Sequence, residues 1–254
     1  MCTLSLITRT NGYLLAMNRD EKVARGAGSL PEIYRRDGVR MAHPGDGSSG
    51  TWIGVNEFGI ALAVLNWNEP SPSAAKTQSR GGLIPRLLSC SSIADLDPGI
   101  GNLDLCGILP FRLVAVAPRE EEIWEWRWDS SRLQCCPHRW RARHWFSSSL
   151  SDQEAEKSRS KACRLAWEEA NAGSSSWLRR LHGSHENAAP LVPGPFGLCV
   201  HRPDVRTLSY SEVECASSCI RFSHWKGSPC STLGRGAFEL EFERNAALIQ
   251  VVRN

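Results

Sequence analysis

The chain has 254 residues, of which 41% are hydrophobic and 22% are charged, values typical of a globular protein that buries a core without disulfides. Its formal net charge of +3 is too small to indicate a nucleic-acid-binding protein. No apolar stretch has the length of a signal peptide or of a membrane-spanning helix. We therefore expect a cytoplasmic protein whose ten cysteines are reduced and mostly buried.

The first third of the chain has the pattern of two β-hairpins. Their apolar, β-rich runs span residues 3–7, 13–17, 51–55 and 60–65. Asn11-Gly12 is a strong turn signal in the first hairpin, and residues 56–59 form the turn of the second. The stretch between the hairpins, residues 25–50, is rich in Gly, Arg and Pro, and we expect a loop there.

Helices and further strands alternate in the rest of the chain. Helices are predicted at residues 82–89, 92–96, 151–170 and 177–181, and strands at residues 112–117, 122–128, 196–201, 206–214 and 220–225. Ser151 with Glu154 forms a capping box that begins the third helix. Trp124, Trp126 and Trp128 share one face of a strand, and we expect this face to pack against helices. Residues 183–195 are expected to form a loop.

This order of strands, helices and strands predicts the fold class. It indicates an α+β layered domain in which two sheets lie between helices. Short linkers and the absence of a break in composition favour a single domain over residues 1–254.

The sequence Met1-Cys2-Thr3 places a candidate nucleophile at the amino terminus. Removal of the initiator methionine would leave Cys2 with a thiol and a free α-amine on one residue. An amine with a pKa of about 8 can accept the proton of a thiol whose pKa is about 8.5, so no separate histidine is needed.

Hairpin geometry predicts the neighbours of Cys2. With a four-residue loop, Thr8 faces Tyr13 and Cys2 falls opposite Arg19, whereas a two-residue Asn11-Gly12 loop places Cys2 opposite Glu21. In both cases the polar run 18–21 lies beside the thiol and supplies hydrogen-bond donors, a cation and carboxylates.

Two ordered motifs resemble the NRDE family of transport and Golgi organisation proteins. The run 13–21 ends in the Asn18-Arg19-Asp20-Glu21 motif for which the family is named, at the usual distance from an initial Met-Cys-Thr. The run 50–59, followed by Leu65-Asn66, is similar to the family's Gly-Thr-Trp hairpin and its asparagine.

The resemblance implies a four-layer αββα fold of the N-terminal-nucleophile hydrolase type, related to choloylglycine hydrolases and penicillin acylases. It also implies that Cys2 attacks a carbonyl, that Asp20 supports it, and that Asn66 donates to the oxyanion. Arg19 would bind a substrate carboxylate or pair with Asp20, and we favour the pairing. Arg206 is the nearest match to an arginine that relatives place near the nucleophile.

One departure from the family pattern concerns Ser148. Many relatives carry an asparagine where this chain has Ser148, so one amide donor to the substrate is expected to be missing. A site that has lost this donor would favour a non-enzymatic carrier over an enzyme.

Two functions remain open on this basis. The first is hydrolysis or transfer of an acyl group at a non-peptide C–N amide bond of a small acylated amine, with no cofactor. The alternative is non-enzymatic handling of haem or a lipid, with the ten tryptophans lining an apolar pocket.

Metal binding is not expected from the sequence. The pair Cys135-Cys136 with His138 and His144, and the pair Cys215 and Cys219, fit no compact spacing of zinc ligands. His201 and the other histidines are scattered along the chain.

Overall fold

The computed structural model describes residues 2–47, 50–70, 77–185 and 194–245. Its strands are β1 (Cys2–Arg9), β2 (Gly12–Lys22), β3 (Glu32–Arg36), β4 (Val39–His43), β5 (Ile53–Asn56), β6 (Ala61–Asn66), β7 (Phe111–Ala117), β8 (Glu122–Trp128), β9 (Leu133–His138), β10 (Arg143–Ser147), β11 (Val205–Cys215), β12 (Cys219–Lys226) and β13 (Phe238–Glu243). Its helices are α1 (Leu83–Leu87), α2 (Ile93–Gly101), α3 (Asp152–Ala166), α4 (Ser175–His182) and α5 (Pro229–Thr232). No helix in these ranges is long and apolar enough to cross a membrane.

The strands form two antiparallel sheets. The first sheet has the order β10-β1-β2-β11-β12-β13, and the second has the order β3-β4-β5-β6-β7-β8-β9. A buried cluster that includes Leu4, Met17 and Val114 joins the two sheets. The outer face of the second sheet packs against α1 and α2, and the outer face of the first packs against α3 and α4. The α+β fold of four αββα layers is therefore confirmed.

The first hairpin, formed by β1 and β2, has one of the two registers predicted from the sequence. Thr8 pairs with Tyr13 and Cys2 pairs with Arg19, so the first of the two predicted registers is correct. The turn is tighter than expected because Arg9 also pairs with Gly12. Asn11 adopts φ 59°, a left-handed conformation that asparagine tolerates better than most residues.

The prediction of a loop over residues 25–50 is wrong in part. This stretch contains the hairpin of β3 and β4, which is joined by Asp37-Gly38 with φ values of 52° and 80°. Two consecutive positive φ values are typical of a type I′ turn, for which Asp-Gly is a favoured sequence. Apolar alternation did not reveal β3 because the strand is exposed along its whole length.

The strand predicted at residues 196–201 is also absent. Leu198, Cys199 and Val200 are buried, but their backbone groups form hydrogen bonds with Asn18, Ser184 and Thr207, respectively, instead of forming a ladder. This short apolar run is therefore buried as an irregular segment and not as a strand of a sheet. Of the predicted loop at 183–195, residues 186–193 lie outside the described part of the chain.

Several other elements agree with the sequence or extend it. Ser151 caps α3 by accepting a hydrogen bond from the backbone of Glu154, as the capping box predicts. Trp126 is buried against α2, and its indole donates to Asp97, with Trp124 and Trp128 partly buried beside it. The structure adds β9, β10, α5 and β13, for which the sequence pattern provided no assignment.

A buried carboxylate connects the two sheets. Glu125 on β8 accepts hydrogen bonds from Arg112 at 2.6 Å, Arg127 at 2.8 Å and Trp145 at 3.2 Å, and His138 lies 2.8 Å away. Trp145 belongs to β10 in the other sheet. Burial by itself raises the pKa of the Glu125 carboxyl, but the hydrogen bonds from Arg127, Arg112 and His138 outweigh it and hold that pKa at about 2.

Replacement of this carboxylate should therefore destabilise the fold. We expect Glu125→Gln to lower the free energy of unfolding at pH 7 by about 3–5 kcal/mol, because Arg112 and Arg127, both partly buried, lose their charged partner. The depressed pKa stabilises the folded state above the ordinary value of 4.5, and this contribution is lost as the pH falls towards about 2. Urea unfolding at several pH values should show wild type and Glu125→Gln converging in that acidic range. Glu120→Gln, an exposed control, should match wild type, and a pH-independent difference for Glu125→Gln would contradict the account.

Candidate functional site

Cys2 lies at the start of a central strand. It pairs with Ser147 on β10 on one side and with Arg19 on β2 on the other. Its main-chain nitrogen donates a hydrogen bond to the Ser147 hydroxyl at 2.9 Å. These contacts hold the first described residue in place, although chain termini usually fray. Met1 lies outside the described residues.

Cys2 borders a small polar cavity. The cavity has a volume of about 200 Å³ and is lined by Cys2, Arg19, Asp20, Glu21, Arg25, Asp46, Thr51, Trp52, Val64, Asn66, Ser79, Arg80 and Gly81. The thiol-bearing residue is 6% exposed, so it is packed on most sides while still bordering the cavity. The structure therefore brings together four of the five predicted site residues: Cys2, Arg19, Asp20 and Asn66.

Arg206 does not share this arrangement. It lies on β11 opposite Glu21, its side chain is exposed, and it is not among the residues that line the cavity. Among the described residues, no contact supports a role for Arg206 near the nucleophile.

Asp20 is buried on the opposite face of β2 from Arg19. Its Oδ1 accepts a hydrogen bond from the Thr207 hydroxyl at 2.6 Å, and its Oδ2 lies 3.5 Å from the Arg159 guanidinium. Burial raises the pKa of the Asp20 carboxyl, whereas Arg159 and Thr207 act to lower it. The carboxylate is held by one cation and one hydroxyl in a site from which water is largely excluded.

Arg159 is a residue of the site that sequence reasoning missed. It is 1% exposed, and its guanidinium donates to Thr3 Oγ1 at 3.0 Å, to the Ser147 carbonyl at 3.3 Å and to the Cys2 carbonyl at 3.4 Å. Its position on one face of α3 is a signal that could have identified it. The buried residues of α3 are Asp152, Ala155, Arg159 and Cys163, with the spacing of one helix face. A cation in such a stripe requires a buried partner.

The pairing of Arg19 with Asp20 that we favoured from the sequence is not observed. Successive residues of a strand point to opposite faces, so these two side chains diverge. Arg19 stacks on Trp52, with its guanidinium carbon 4.5 Å from the ring centroid, and donates to the Gly26 carbonyl at 2.8 Å. Within the described part of the chain it forms an ion pair with Glu21, at 3.8 Å. Trp52 thus forms part of the wall of the site as well as of the core.

The thiol of Cys2 is shielded from water. Burial is the main reason that its pKa is raised above the ordinary value, and the nearby Asp20 carboxylate raises it further. Arg19 and a hydrogen bond from the backbone of Asp20 act in the opposite direction. At neutral pH the group is therefore a thiol and not a thiolate, and it needs a base to react.

The serines at the end of β10 occupy the side of Cys2 away from β2. Ser147 accepts the hydrogen bond from the Cys2 nitrogen, and both Ser147 and Ser148 are buried. The Ser148 backbone donates to Asp152 on α3, and its carbonyl accepts from Asn68. The hydrogen bonds of Ser148 therefore hold β10 to neighbouring elements, and Ser148 is not among the residues that line the cavity.

A second cation faces the cavity from a short turn. Arg80 is partly buried, and its Nε has no hydrogen-bond partner among the described residues. Burial lowers the pKa of its guanidinium, whereas Cys2, Glu21 and Asp152 raise it. Arg25, in contrast, is paired with Glu21 at 3.0 Å and lies 3.7 Å from Asp46. Arg80 is therefore the cavity cation best placed to bind an anion.

Comparisons with known proteins agree with the expected relationship. The sequence model of the family described as Transport and Golgi organisation 2 matches residues 1–175. Among curated proteins, no sequence matches this chain.

Two kinds of solved structure share the fold. Penicillin V acylase from Agrobacterium tumefaciens aligns with a TM-score of 0.52 and 12% identity over 87% of this chain and 82% of that chain. Two variants of conjugated bile acid hydrolase from Clostridium perfringens align with TM-scores of 0.51. Their identities are 11% and 10%, over 98% and 99% of this chain and 94% and 100% of theirs. At such identities the likeness is one of fold, and it matches the fold that the resemblance implied.

The contacts of Arg159 generate a stability prediction. We expect Arg159→Met to lower the free energy of unfolding by about 3–5 kcal/mol, because the Asp20 carboxylate would stay buried without its cation. Adding Asp20→Asn to this variant should recover part of the loss, which a double-mutant cycle measured by urea unfolding would reveal. Lys161→Met is the matched control, since this residue is exposed on the same helix. Strict additivity of the two changes would contradict the proposed pairing.

Proposed function

The chain belongs to the Transport and Golgi organisation 2 family, and we propose that it is an amide hydrolase or acyltransferase whose nucleophile is the thiol of Cys2. One observation carries the proposal: Cys2, Asp20, Arg19 and Asn66, chosen from the sequence for their chemistry, border one cavity. A merely structural Cys2 would not need to border a cavity lined by charged groups.

The first chemical step uses both functional groups of Cys2. Once Met1 is removed, the nitrogen that donates to Ser147 becomes an α-amine. The amine accepts the thiol proton while the sulfur attacks the carbonyl carbon of the substrate amide, and the carbonyl π electrons move to oxygen. Because the thiol pKa is raised, proton transfer accompanies attack and no resting thiolate is required.

The resulting tetrahedral species is resolved in two stages. The Asn66 side-chain amide donates to the oxyanion, a contribution that can reach about 3 kcal/mol. The C–N bond then breaks as the α-ammonium returns its proton to the leaving amine, which leaves an acyl thioester on Cys2. Attack by water gives a carboxylic acid and restores the thiol, whereas attack by a second amine gives acyl transfer.

Asp20 and Arg19 support this chemistry without accepting the thiol proton. The negative charge of Asp20 favours the ammonium form that the α-amine takes after attack. Arg19, fixed on Trp52, places a positive charge beside the sulfur and favours loss of its proton. Both are buried, so their orientation is set before the substrate binds.

The lining of the cavity favours a small, charged substrate. The volume of about 200 Å³ suits the polar part of a small molecule, and Arg80 offers a guanidinium whose Nε is unpartnered. We therefore propose an acylated amine that carries a carboxylate near the scissile bond, such as an N-acyl amino acid. Bidentate binding of a carboxylate is a contact that arginine is suited to make.

Handling of haem or a lipid remains the alternative prediction. The walls of the Cys2 cavity are mainly charged and polar, and large tryptophans such as Trp126, Trp145 and Trp177 are fully buried in the packed layers. These observations favour a polar substrate over an apolar cofactor at this site.

Acylation of Cys2 is the direct test of the hydrolase proposal. Protein whose intact mass shows loss of Met1 should react with 4-nitrophenyl phenylacetate in a burst of about one equivalent, with the acyl group on Cys2 by peptide mapping. Cys2→Ala should lose the burst, while Cys106→Ala, which removes an exposed thiol, should retain it.

A chain with an uncleaved amino-terminal extension provides a second control. It keeps the thiol but lacks the free amine, so its burst should disappear. Retention of Met1 in the mature protein, or absence of acylation on Cys2 after its removal, would refute the mechanism.

The role of Arg80 can be tested on matched substrates. Wild type should hydrolyse N-phenylacetylglycine faster than its carboxamide analogue, and Arg80→Met should lower kcat/KM for the carboxylate about 10- to 100-fold while changing that for the carboxamide little. Amine release reports the rate. Arg86→Met, an exposed arginine on α1, serves as the control. Equal rates on the two substrates in wild type would contradict recognition of a carboxylate.

A further inference from the structure

Four potential metal ligands meet on the side of the first sheet that packs against α4 and α5. They are His185, Cys199, His201 and Cys230, and their ligand atoms all lie within 4.8 Å of one another. None of them lines the Cys2 cavity. The proposed hydrolase chemistry uses none of these groups, so their convergence needs a separate explanation.

The distances between these groups are close to those of a tetrahedral zinc site. His201 Nε2 lies 3.5 Å from Cys199 Sγ and 3.1 Å from Cys230 Sγ. Zn–S bonds of about 2.3 Å and Zn–N bonds of about 2.0–2.1 Å at tetrahedral angles place neighbouring ligand atoms about 3.3–3.8 Å apart. Small side-chain rotations would bring the remaining ligand atoms to this separation.

The orientation of His185 also suits coordination. Its Nδ1 lies 3.1 Å from the carbonyl oxygen of Cys199. When Nδ1 carries the proton and donates to this carbonyl, Nε2 keeps a lone pair for a metal ion. A hydrogen bond from the second ring nitrogen to a backbone carbonyl is usual for histidine ligands of zinc.

We propose that His185, Cys199, His201 and Cys230 bind one Zn²⁺ ion in a structural site. Two imidazoles and two thiolates complete a tetrahedral shell and leave no open position for a substrate, which distinguishes a structural site from a catalytic one. On binding, the two thiols each lose a proton to solvent, and zinc undergoes no change in oxidation state.

The ion would join three segments that are distant in sequence. His185 follows α4, Cys199 and His201 lie in the irregular segment before β11, and Cys230 lies in α5. The segment with Cys199 is already bound to the first sheet, because Asn18 donates to the Leu198 carbonyl and Thr207 donates its backbone N–H to Val200. Thr207 also donates to Asp20, so the ion would stabilise the outer support of the candidate active site.

The sequence alone did not indicate this site. The four ligands include one Cys-x-His pair, Cys199 and His201. His185 lies 14 residues before Cys199, and Cys230 lies 29 residues after His201. The expectation of no metal site was based on local spacing in the sequence. In the folded chain His201 lies beside His185, Cys199 and Cys230. The cysteine pairs at Cys135-Cys136 and at Cys215 and Cys219 are not part of the group.

Metal content of the full-length protein tests the proposal. Protein expressed with zinc and purified under reducing conditions should contain about one zinc ion per chain by inductively coupled plasma mass spectrometry. Exchange with Co²⁺ should produce the thiolate-to-metal charge-transfer absorption and the intense visible bands of a tetrahedral site. Cys230→Ser should lose the zinc and the charge-transfer absorption, and we expect it to fold because Cys230 is exposed. Cys106→Ser, which also changes an exposed thiol, should retain both.

Thermal unfolding gives an independent measurement. A chelator should lower the Tm of wild type and of Cys106→Ser, because zinc stabilises only the folded state, and should leave the Tm of Cys230→Ser unchanged. Circular dichroism would establish that each variant is folded.

Four results would overturn the proposal. They are absence of zinc from wild type grown with zinc, full retention of zinc by Cys230→Ser, a different metal bound at the same stoichiometry, and a Cys199–Cys230 disulfide under reducing conditions. None of these results bears on Cys2, because acylation of Cys2 is measured separately.

Discussion

The candidate site depends on the contacts of one buried cation, the guanidinium of Arg159. It reaches from α3 to the Asp20 carboxylate, the Cys2 carbonyl and the Ser147 carbonyl, and so connects three adjacent strands at the edge where the chain begins. A single planar cation can satisfy several acceptors at once because its five N–H donors point in fixed directions. Cys2 consequently has a defined position, which the first residues of a chain seldom have.

Two buried carboxylates show how environment separates a candidate functional group from a structural one. Glu125 is surrounded by Arg112, Arg127 and His138, and its pKa is held at about 2, so it is ionised in the folded protein at all ordinary pH values. Asp20 has one cation and one hydroxyl, and burial raises its pKa. Incomplete compensation of a buried charge is a property of many active sites. The contrast agrees with the role proposed for Asp20 and with a structural role for Glu125.

The likeness to penicillin V acylase and conjugated bile acid hydrolase concerns the arrangement of layers, at identities of 12% or less. One scaffold can serve different substrates because the residues that line the pocket come largely from turns and strand ends. In this chain Arg80 and Ser79 come from a turn before α1, and Arg25 comes from the turn after β2. The lining of the cavity, and not the fold, is therefore the basis for proposing a small carboxylated substrate.

The sequence by itself determined the local features, which depend on residues that are close together along the chain. The turn at Asn11-Gly12 and the alternation on either side of it placed Arg19 opposite Cys2 in one of two registers, and the capping box at Ser151 determined the start of α3. The four-layer class followed from the order of elements and from the resemblance. These features depend on periodicity and on turn chemistry, which are properties of short segments.

Only the tertiary structure decided which distant side chains meet. Arg159 is 139 residues from Asp20, and Cys230 is 45 residues from His185, so no local pattern relates the members of either group. Strand β3 escaped prediction because its side chains are exposed along the whole strand, although its partner β4 is buried from Met41 to His43. Arg19 and Asp20 are adjacent in the sequence, yet the pleat of β2 sends them to opposite faces. The physical reason is the same in each case: contacts between elements depend on how whole layers pack, and that packing is not encoded in any one segment.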